Sequence, residues 1–227
     1  MSCEKGIINM ADWLVAIGTL LLAFIAVFQD KIRAYVQSPK LDCQMELKPP
    51  DCHRTVMTGD NLSFFAFYYL FKIWNNGNIS AKNVEVIISN VLKKEGAEFK
   101  NVDGFFPDNL KWSFIGPKIY CDYISPGTFK HFNLGHILDP HFRSRLSGEN
   151  NTELPVNVKE TIFCFDVNFR SNRLSYLVSP GTYKFTITIG CENAKSKSKN
   201  YMIEVTGKWF EDEPRMLNEG FTIKEIS

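Results

Sequence analysis

The sequence lacks an excess of either charge: 26 Lys and Arg stand against 25 Asp and Glu, for a formal net charge of +1. That balance excludes a dedicated nucleic-acid binder, which needs a strongly basic face to meet phosphate. Glycine-rich phosphate loops, His-Glu-x-x-His and Gly-x-Ser-x-Gly are all missing, so no enzyme assignment rests on a motif. Cysteine is sparse and scattered. The six thiols (Cys3, Cys43, Cys52, Cys121, Cys164, Cys191) lack the paired short spacing of zinc sites. Apolar runs are scarce too: a single stretch is long enough to approach membrane length, which excludes a multi-span protein. With 227 residues in all, the chain suits one domain of ordinary size plus an appendage.

The one long run, residues 13–28, reads WLVAIGTLLLAFIAVF, with no charge and only Thr19 polar. At about 1.5 Å per residue it covers about 24 Å, and Ile7, Ile8 and Met10 extend it toward the roughly 30 Å hydrocarbon core. Trp13 is of the amphipathic type that settles at the headgroup boundary. A core helix of a soluble protein would be amphipathic, whereas this run is apolar all round. A cleavable signal would begin with basic residues and end with small ones. Here the start is Met-Ser-Cys-Glu-Lys and the end Val-Phe-Gln-Asp. The expectation is an uncleaved anchor, in contact with the lipid bilayer through residues 13–28. Gln29 to Gln37 continues the helix until Ser38-Pro39 stops it. Thr19 and Ala23 form one small-xxx-small pair, enough for at most a weak homodimer through the span.

Basic residues set the orientation. Lys5 precedes the span, whereas Lys31, Arg33 and Lys40 follow it closely, which predicts a cytoplasmic soluble domain. Unpaired thiols suit a reducing compartment, while the Asn-x-Ser/Thr sequons at Asn61, Asn78 and Asn150 matter only in an exported chain. The predicted organisation is therefore an N-terminal flank (1–12), a transmembrane helix with its juxtamembrane extension (13–37) and a β-domain (40–227).

The chain is 14% aromatic with 19 Phe, and after residue 40 its aromatics fall in segments that alternate apolar and polar positions, as half-buried strands do. Strands are expected near 41–47, 62–74, 82–92, 119–124, 128–134, 161–169, 182–191 and 200–210. The clearest pattern places Tyr183, Phe185, Ile187 and Ile189 inward against Lys184, Thr186 and Thr188 outward. Val84, Val86 and Ile88 share one face in the same way. Residues 93–117 and 139–155 carry the Gly, Pro and Asn of loops, and Lys195, Lys197 and Lys199 read as a solvated hairpin tip. Ser125-Pro-Gly-Thr-Phe-Lys130 recurs as Ser179-Pro-Gly-Thr-Tyr-Lys184, one turn type used twice rather than a repeat. The predicted fold is mainly β: an immunoglobulin-like antiparallel β-sandwich of about seven or eight strands with one N-terminal transmembrane α-helix.

The short anchor, the Ser-Pro-Lys-Leu exit, Trp74-Asn-Asn-Gly-Asn-Ile-Ser-Ala-Lys-Asn-Val84 and Ser179-Pro-Gly-Thr-Tyr183 together resemble prokaryotic membrane-anchored proteins of uncharacterised function. The Asn-x-Gly-x-x-x-Ala-x-Asn-Val segment is similar to strand-turn-strand units of immunoglobulin-like adhesion modules. That resemblance implies a sandwich and brings no catalytic residues with it.

Two constellations could carry chemistry. His131, His136 and His141 are spaced by five, which aligns them on neither a helix nor a regular strand, so zinc would need a loop, with Asp139, to gather them. Cys164 and Asp166 share a strand face, and Cys191 shares one with Ile189, which permits a Cys/His/Asp nucleophile on paper; flanking Phe163 and Phe165 mark Cys164 instead as a core residue. No catalytic, cofactor-binding or metal-ligating residue is assigned on these grounds, and no cofactor. Residues 209–217, aromatic and acidic, are expected to cap the sandwich. The expected function is a non-enzymatic interaction or scaffold module at the cytoplasmic membrane face, binding an unidentified protein partner through sheet edges or loops. A small-molecule sensor signalling through membrane-helix association comes second, and a metal-assisted hydrolase built on the histidine loop third.

Overall fold

The apolar run and its continuation fold as one helix, α1 (Met10–Val36), in a computed structural model that describes residues 10–59, 62–116, 118–147 and 159–226. Leu and Ala dominate the helix and proline is absent from it. It ends just ahead of Ser38-Pro39, where the residue before proline is driven out of the helical region. Its first 20 residues, Met10–Gln29, are long and apolar enough to cross a membrane and are not buried against protein. At about 1.5 Å rise they span about 30 Å, the thickness of a hydrocarbon core. The one hydroxyl within this stretch is satisfied internally, as Thr19 Oγ1 donates to the Val15 carbonyl at 2.8 Å. The chain divides into two units between Ser38 and Pro39.

The second unit is a sandwich of two antiparallel sheets. The first holds β1 (Leu41–Gln44), β2 (Cys52–Gly59), β3 (Leu62–Asn75), β8 (Phe129–Leu138), β9 (Phe163–Phe165) and β10 (Leu177–Val178). The second holds β4 (Ala81–Glu95), β5 (Glu98–Asn101), β6 (Asp108–Asn109), β7 (Tyr120–Ile124), β11 (Gly181–Cys191), β12 (Ala194–Val205) and β13 (Phe221–Ile226). Both β1 and β2 pair with the same side of β3, so together they make one edge interrupted around Asp51. Hydrophobic alternation on the inner faces closes the core. Phe71 meets Tyr201 at 5.0 Å, Tyr69 meets Phe221 at 4.1 Å and Phe165 meets Phe185 at 5.5 Å between ring centroids, each pair bridging the two sheets. Tyr183, Phe185, Ile187 and Ile189 are buried on β11, and Val84, Val86 and Ile88 on β4, as their alternation requires.

Asn75, at the end of β3, is fully buried and uses its whole amide. Its Nδ2 donates to the carbonyls of Ile79 (2.7 Å) and Ile124 (2.9 Å), and its Oδ1 accepts from the amides of Lys40 (3.2 Å) and Gly77 (3.0 Å). One side chain thus ties the domain entry, the Asn-rich turn and β7 together.

The strand count departs from expectation, with thirteen strands among the described residues where seven or eight were expected. The surplus is short or polar: β2, β5, β6, β10 and β13 lack a long apolar alternation, and their partners rather than their own propensity hold them extended. The expected loop 93–117 contains β5 and β6. Within 139–155, Pro140–Ser147 forms a 3-10 helix, and residues 148–155 lie outside those described. Lys195 lies exposed beside the two-residue turn between β11 and β12, as a hairpin tip would have it, whereas Lys197 and Lys199 lie further along β12. Lys197 reaches Asp42 at 2.7 Å, and Lys199 bridges Asp42 at 3.2 Å and Glu225 at 3.0 Å. The C-terminal segment does cap the sandwich: Trp209 packs edge-on against Phe67 at 5.3 Å, and Met216 and Leu217, in the π turn after α2 (Glu213–Arg215), are buried.

Candidate functional site

Chemistry-bearing side chains gather on the outer face of the first sheet. Strand β3 is regular, so Tyr68 and Lys72, four apart, point the same way, opposite to core residues Phe67, Tyr69 and Phe71. Their partners on β8 are His136 and His131. In an unbroken strand five residues would place these histidines on opposite faces. A bulge intervenes, because Tyr69 pairs with Gly135 while Leu70 pairs with Asn133, and the extra residue returns both histidines to the outer face.

From His136 a row runs across five strands in register: His53, Tyr68, His136, Cys164 and Leu177. The Tyr68 ring stacks on His136 at 5.1 Å and on His53 at 6.5 Å. Asp166, two residues beyond Cys164, completes a cluster. His136 Nδ1 lies 3.0 Å from Asp166 Oδ1, and the ligand atoms of His136, Cys164 and Asp166 all lie within 4.8 Å of one another. All three are buried, at 5%, 0% and 4% exposure. The second carboxylate oxygen, Asp166 Oδ2, is buried without a hydrogen-bond partner among the described residues. Strands β8 and β9 approach closely here because residue 135 is glycine. A Cβ there would collide with the Cys164 carbonyl and come within 2.6 Å of the Phe163 ring.

This environment decides what the thiol can do. Burial, and then the charge of Asp166, push the Cys164 thiol well above its ordinary range, and its Sγ donates to the Phe165 carbonyl at 3.7 Å. A neutral, enclosed thiol is no nucleophile toward an external substrate. The cluster drawn from sequence as a Cys/His/Asp nucleophile does assemble, but it assembles as a set of donor atoms. Cys191, half-buried on β11, belongs to the other sheet.

The three histidines do not share a centre. His131 Nε2 lies 3.2 Å from Asp51 Oδ1, which Lys72 Nζ also approaches at 2.9 Å, and Asp51 Oδ2 accepts from the Glu46 amide at 3.1 Å. This buried carboxylate fills the break between β1 and β2. His141, exposed, pairs with Asp139 at 2.8 Å. Each histidine therefore serves its own carboxylate, and the three do not converge on one centre. Of the sequons, Asn78 lies in the turn after β3, whereas Asn61 and Asn150 fall outside the described residues, as do Cys3 and Lys5.

A second feature is apolar. Strand β7 pairs with β4 through Tyr120–Ile124, and around it Phe114, Ile119, Tyr120 and Tyr123 are exposed at 92%, 49%, 49% and 61%. The loop carrying Phe114 is drawn in at its base, where Trp112 Nε1 donates to the Ile119 carbonyl at 3.2 Å. Phe114 itself holds a φ of +63°, a conformation rarely adopted by a bulky side chain.

No family model matches the chain, and no curated protein matches it either.

Proposed function

We propose that the chain is a single-pass membrane protein whose β-sandwich, held at the cytoplasmic face, is a non-enzymatic module that binds a protein partner. One observation carries the binding role: the exposed aromatic group Phe114, Tyr120 and Tyr123 with Ile119 at the β7 side of the second sheet. Large aromatic side chains dominate interface energetics, and a strained backbone that presents one to solvent is spent on contact rather than on stability. The anchor rests on α1, whose first 20 residues are long and apolar enough to cross a membrane. Cytoplasmic orientation rests on Lys31, Arg33 and Lys40 after the span against Lys5 before it. The resemblance to immunoglobulin-like adhesion modules points toward binding, as fold analogy only.

A photo-crosslinking amino acid placed at Phe114 in cells tests the role. A discrete protein adduct at Phe114 that is absent with the same probe at Lys195 supports it. Identical smears at both positions, or none, contradict it.

A small-molecule sensor is the second reading, favoured by a cavity of about 320 Å³ lined by Asp42, Cys43, Phe71, Lys199, Tyr201 and Glu225. Its size lies at the lower end of ligand pockets, roughly 300–1,000 Å³. A metabolite that raises the thermal midpoint of the wild type and not of Tyr201→Trp supports this sensor, and a broad panel that shifts neither removes it.

A further inference from the structure

We propose that His136, Cys164 and Asp166 form a zinc site that clips β9 onto β8. Three independent features converge there. The donors are an imidazole, a thiol and a carboxylate, a mixed set that suits zinc and excludes magnesium and calcium, which take oxygen ligands. Their spacing comes close. Two nitrogen or oxygen ligands on a tetrahedral zinc, each about 2.0–2.1 Å from the metal, stand roughly 3.3 Å apart; His136 Nδ1 and Asp166 Oδ1, hydrogen-bonded at 3.0 Å, stand near that distance, and the thiol atom, within 4.8 Å of both, closes on the metal when the ion binds. Finally, Asp166 Oδ2 is buried with no hydrogen-bond partner among the described residues, in a residue 4% exposed. A buried carboxylate oxygen without a partner is costly, and a cation beside it removes that cost.

Binding releases one proton. The Cys164 thiol gives its proton to solvent and ligates as thiolate, while the proton shared in the His136 Nδ1–Asp166 Oδ1 hydrogen bond moves to the other ring nitrogen, so that Nδ1 and the carboxylate are both free to ligate. Tyr68, stacked on His136 at 5.1 Å, holds the imidazole in plane, the supporting role that outer groups play around metal ligands. Strand β9 has three residues and β10 two, so a metal bridge from β8 gives this thin side of the sheet a fastening that its few backbone bonds do not. Because the ligands are enclosed, zinc enters as the chain folds. This site is independent of the partner-binding role, and either stands if the other fails.

The test uses the full chain, purified in detergent from cells supplied with zinc or, separately, cobalt. One equivalent of metal is expected to persist through dialysis against a chelator and to leave on unfolding. The cobalt form is expected to show a thiolate-to-cobalt charge-transfer band that Cys164→Ser abolishes and Asp166→Asn weakens. X-ray absorption of the wild-type zinc form settles the donor set even where a variant misfolds: one sulfur at about 2.3 Å with nitrogen and oxygen donors at about 2.0–2.1 Å is the expected shell. A folded wild type that carries no metal overturns the proposal. So does a shell with no sulfur or several, or a charge-transfer band that survives in folded Cys164→Ser.

Discussion

Helix α1 and the sandwich draw on the same apolar residues and dispose of them in opposite ways. In the sandwich, alternation sends Phe67, Tyr69 and Phe71 inward to full burial, and the opposite face receives Tyr68 and Lys72. In α1 there is no such division: Leu14, Leu20, Leu22 and Val27 are exposed at 66–74% on every side. An apolar surface without a polar complement is what a membrane-spanning helix carries, and it is the basis of the anchor proposed above. One region is stabilised by what it hides, the other by what surrounds it, and substitutions should separate the two.

The largest effect is expected in the helix. Leu21→Arg together with Ile25→Arg adds about 5–7 kcal/mol to insertion, at about 2.5–3.5 kcal/mol for each central arginine. The chain should leave the membrane pellet while its β-domain keeps the near-ultraviolet dichroism of the wild type. Loss of both together would mean that the two regions are not independent.

Next come Phe71→Ala and Leu22→Ala, the same kind of truncation in the two settings. Phe71→Ala should cost about 3–5 kcal/mol in chemical unfolding of the detergent-solubilised chain, whereas Leu22→Ala should change domain unfolding by less than about 0.5 kcal/mol. Equal costs would erase the distinction.

Asn75→Ala probes polar satisfaction within the buried domain. It leaves the carbonyls of Ile79 and Ile124 and the amides of Lys40 and Gly77 without their partner. A loss of about 2–3 kcal/mol in the same unfolding experiment is expected from stranding buried groups of this kind. A negligible loss would mean that water replaces the amide.

The smallest effect is a pH dependence at the edge of the sandwich. Burial pushes the Asp42 carboxyl up, but hydrogen bonds from Lys197, Gln44 and Lys199 outweigh it and bring it from 3.8 down to about 2. A depressed carboxylate contributes stability that is complete above its unfolded value and is lost as pH falls through the folded one. Wild type should therefore lose more stability than Asp42→Asn between about pH 4 and pH 2, and parallel curves would contradict the ion-pair account.

The contrast explains what the sequence made legible. The apolar helix and strands such as β11 and β4 announce themselves because apolar patterning is a local property: sixteen uncharged residues in a row, or Tyr183 to Ile189 in alternation. Strand β2 stays hidden, since His53, Arg54 and Thr55 show no such period and are held extended by pairing with Tyr68, Phe67 and Ala66. The Asn-Gly turn was visible from residues 75–77, but the reach of Asn75 to Ile124 was not, because it depends on which strand returns to that end. Half of the site could be read: Cys164 and Asp166 share a face by spacing alone. His136 could not be joined to them, because that needs the pairing of β8 with β9 and a bulge at Leu134 that changes the parity of every residue after it. The Lys195 to Lys199 run misled for a related reason, as Lys197 and Lys199 reach Asp42 on the other sheet and Glu225 on the neighbouring strand, placements that composition does not reveal.

The most direct measurement is carbonate extraction and protease protection of a C-terminally tagged chain, in intact cells and again in opened membranes. The tag is expected in the carbonate-resistant pellet, shielded in intact cells and digested once the membranes are opened. Recovery in the carbonate-soluble fraction would contradict the anchor, and digestion from outside intact cells would contradict the cytoplasmic orientation.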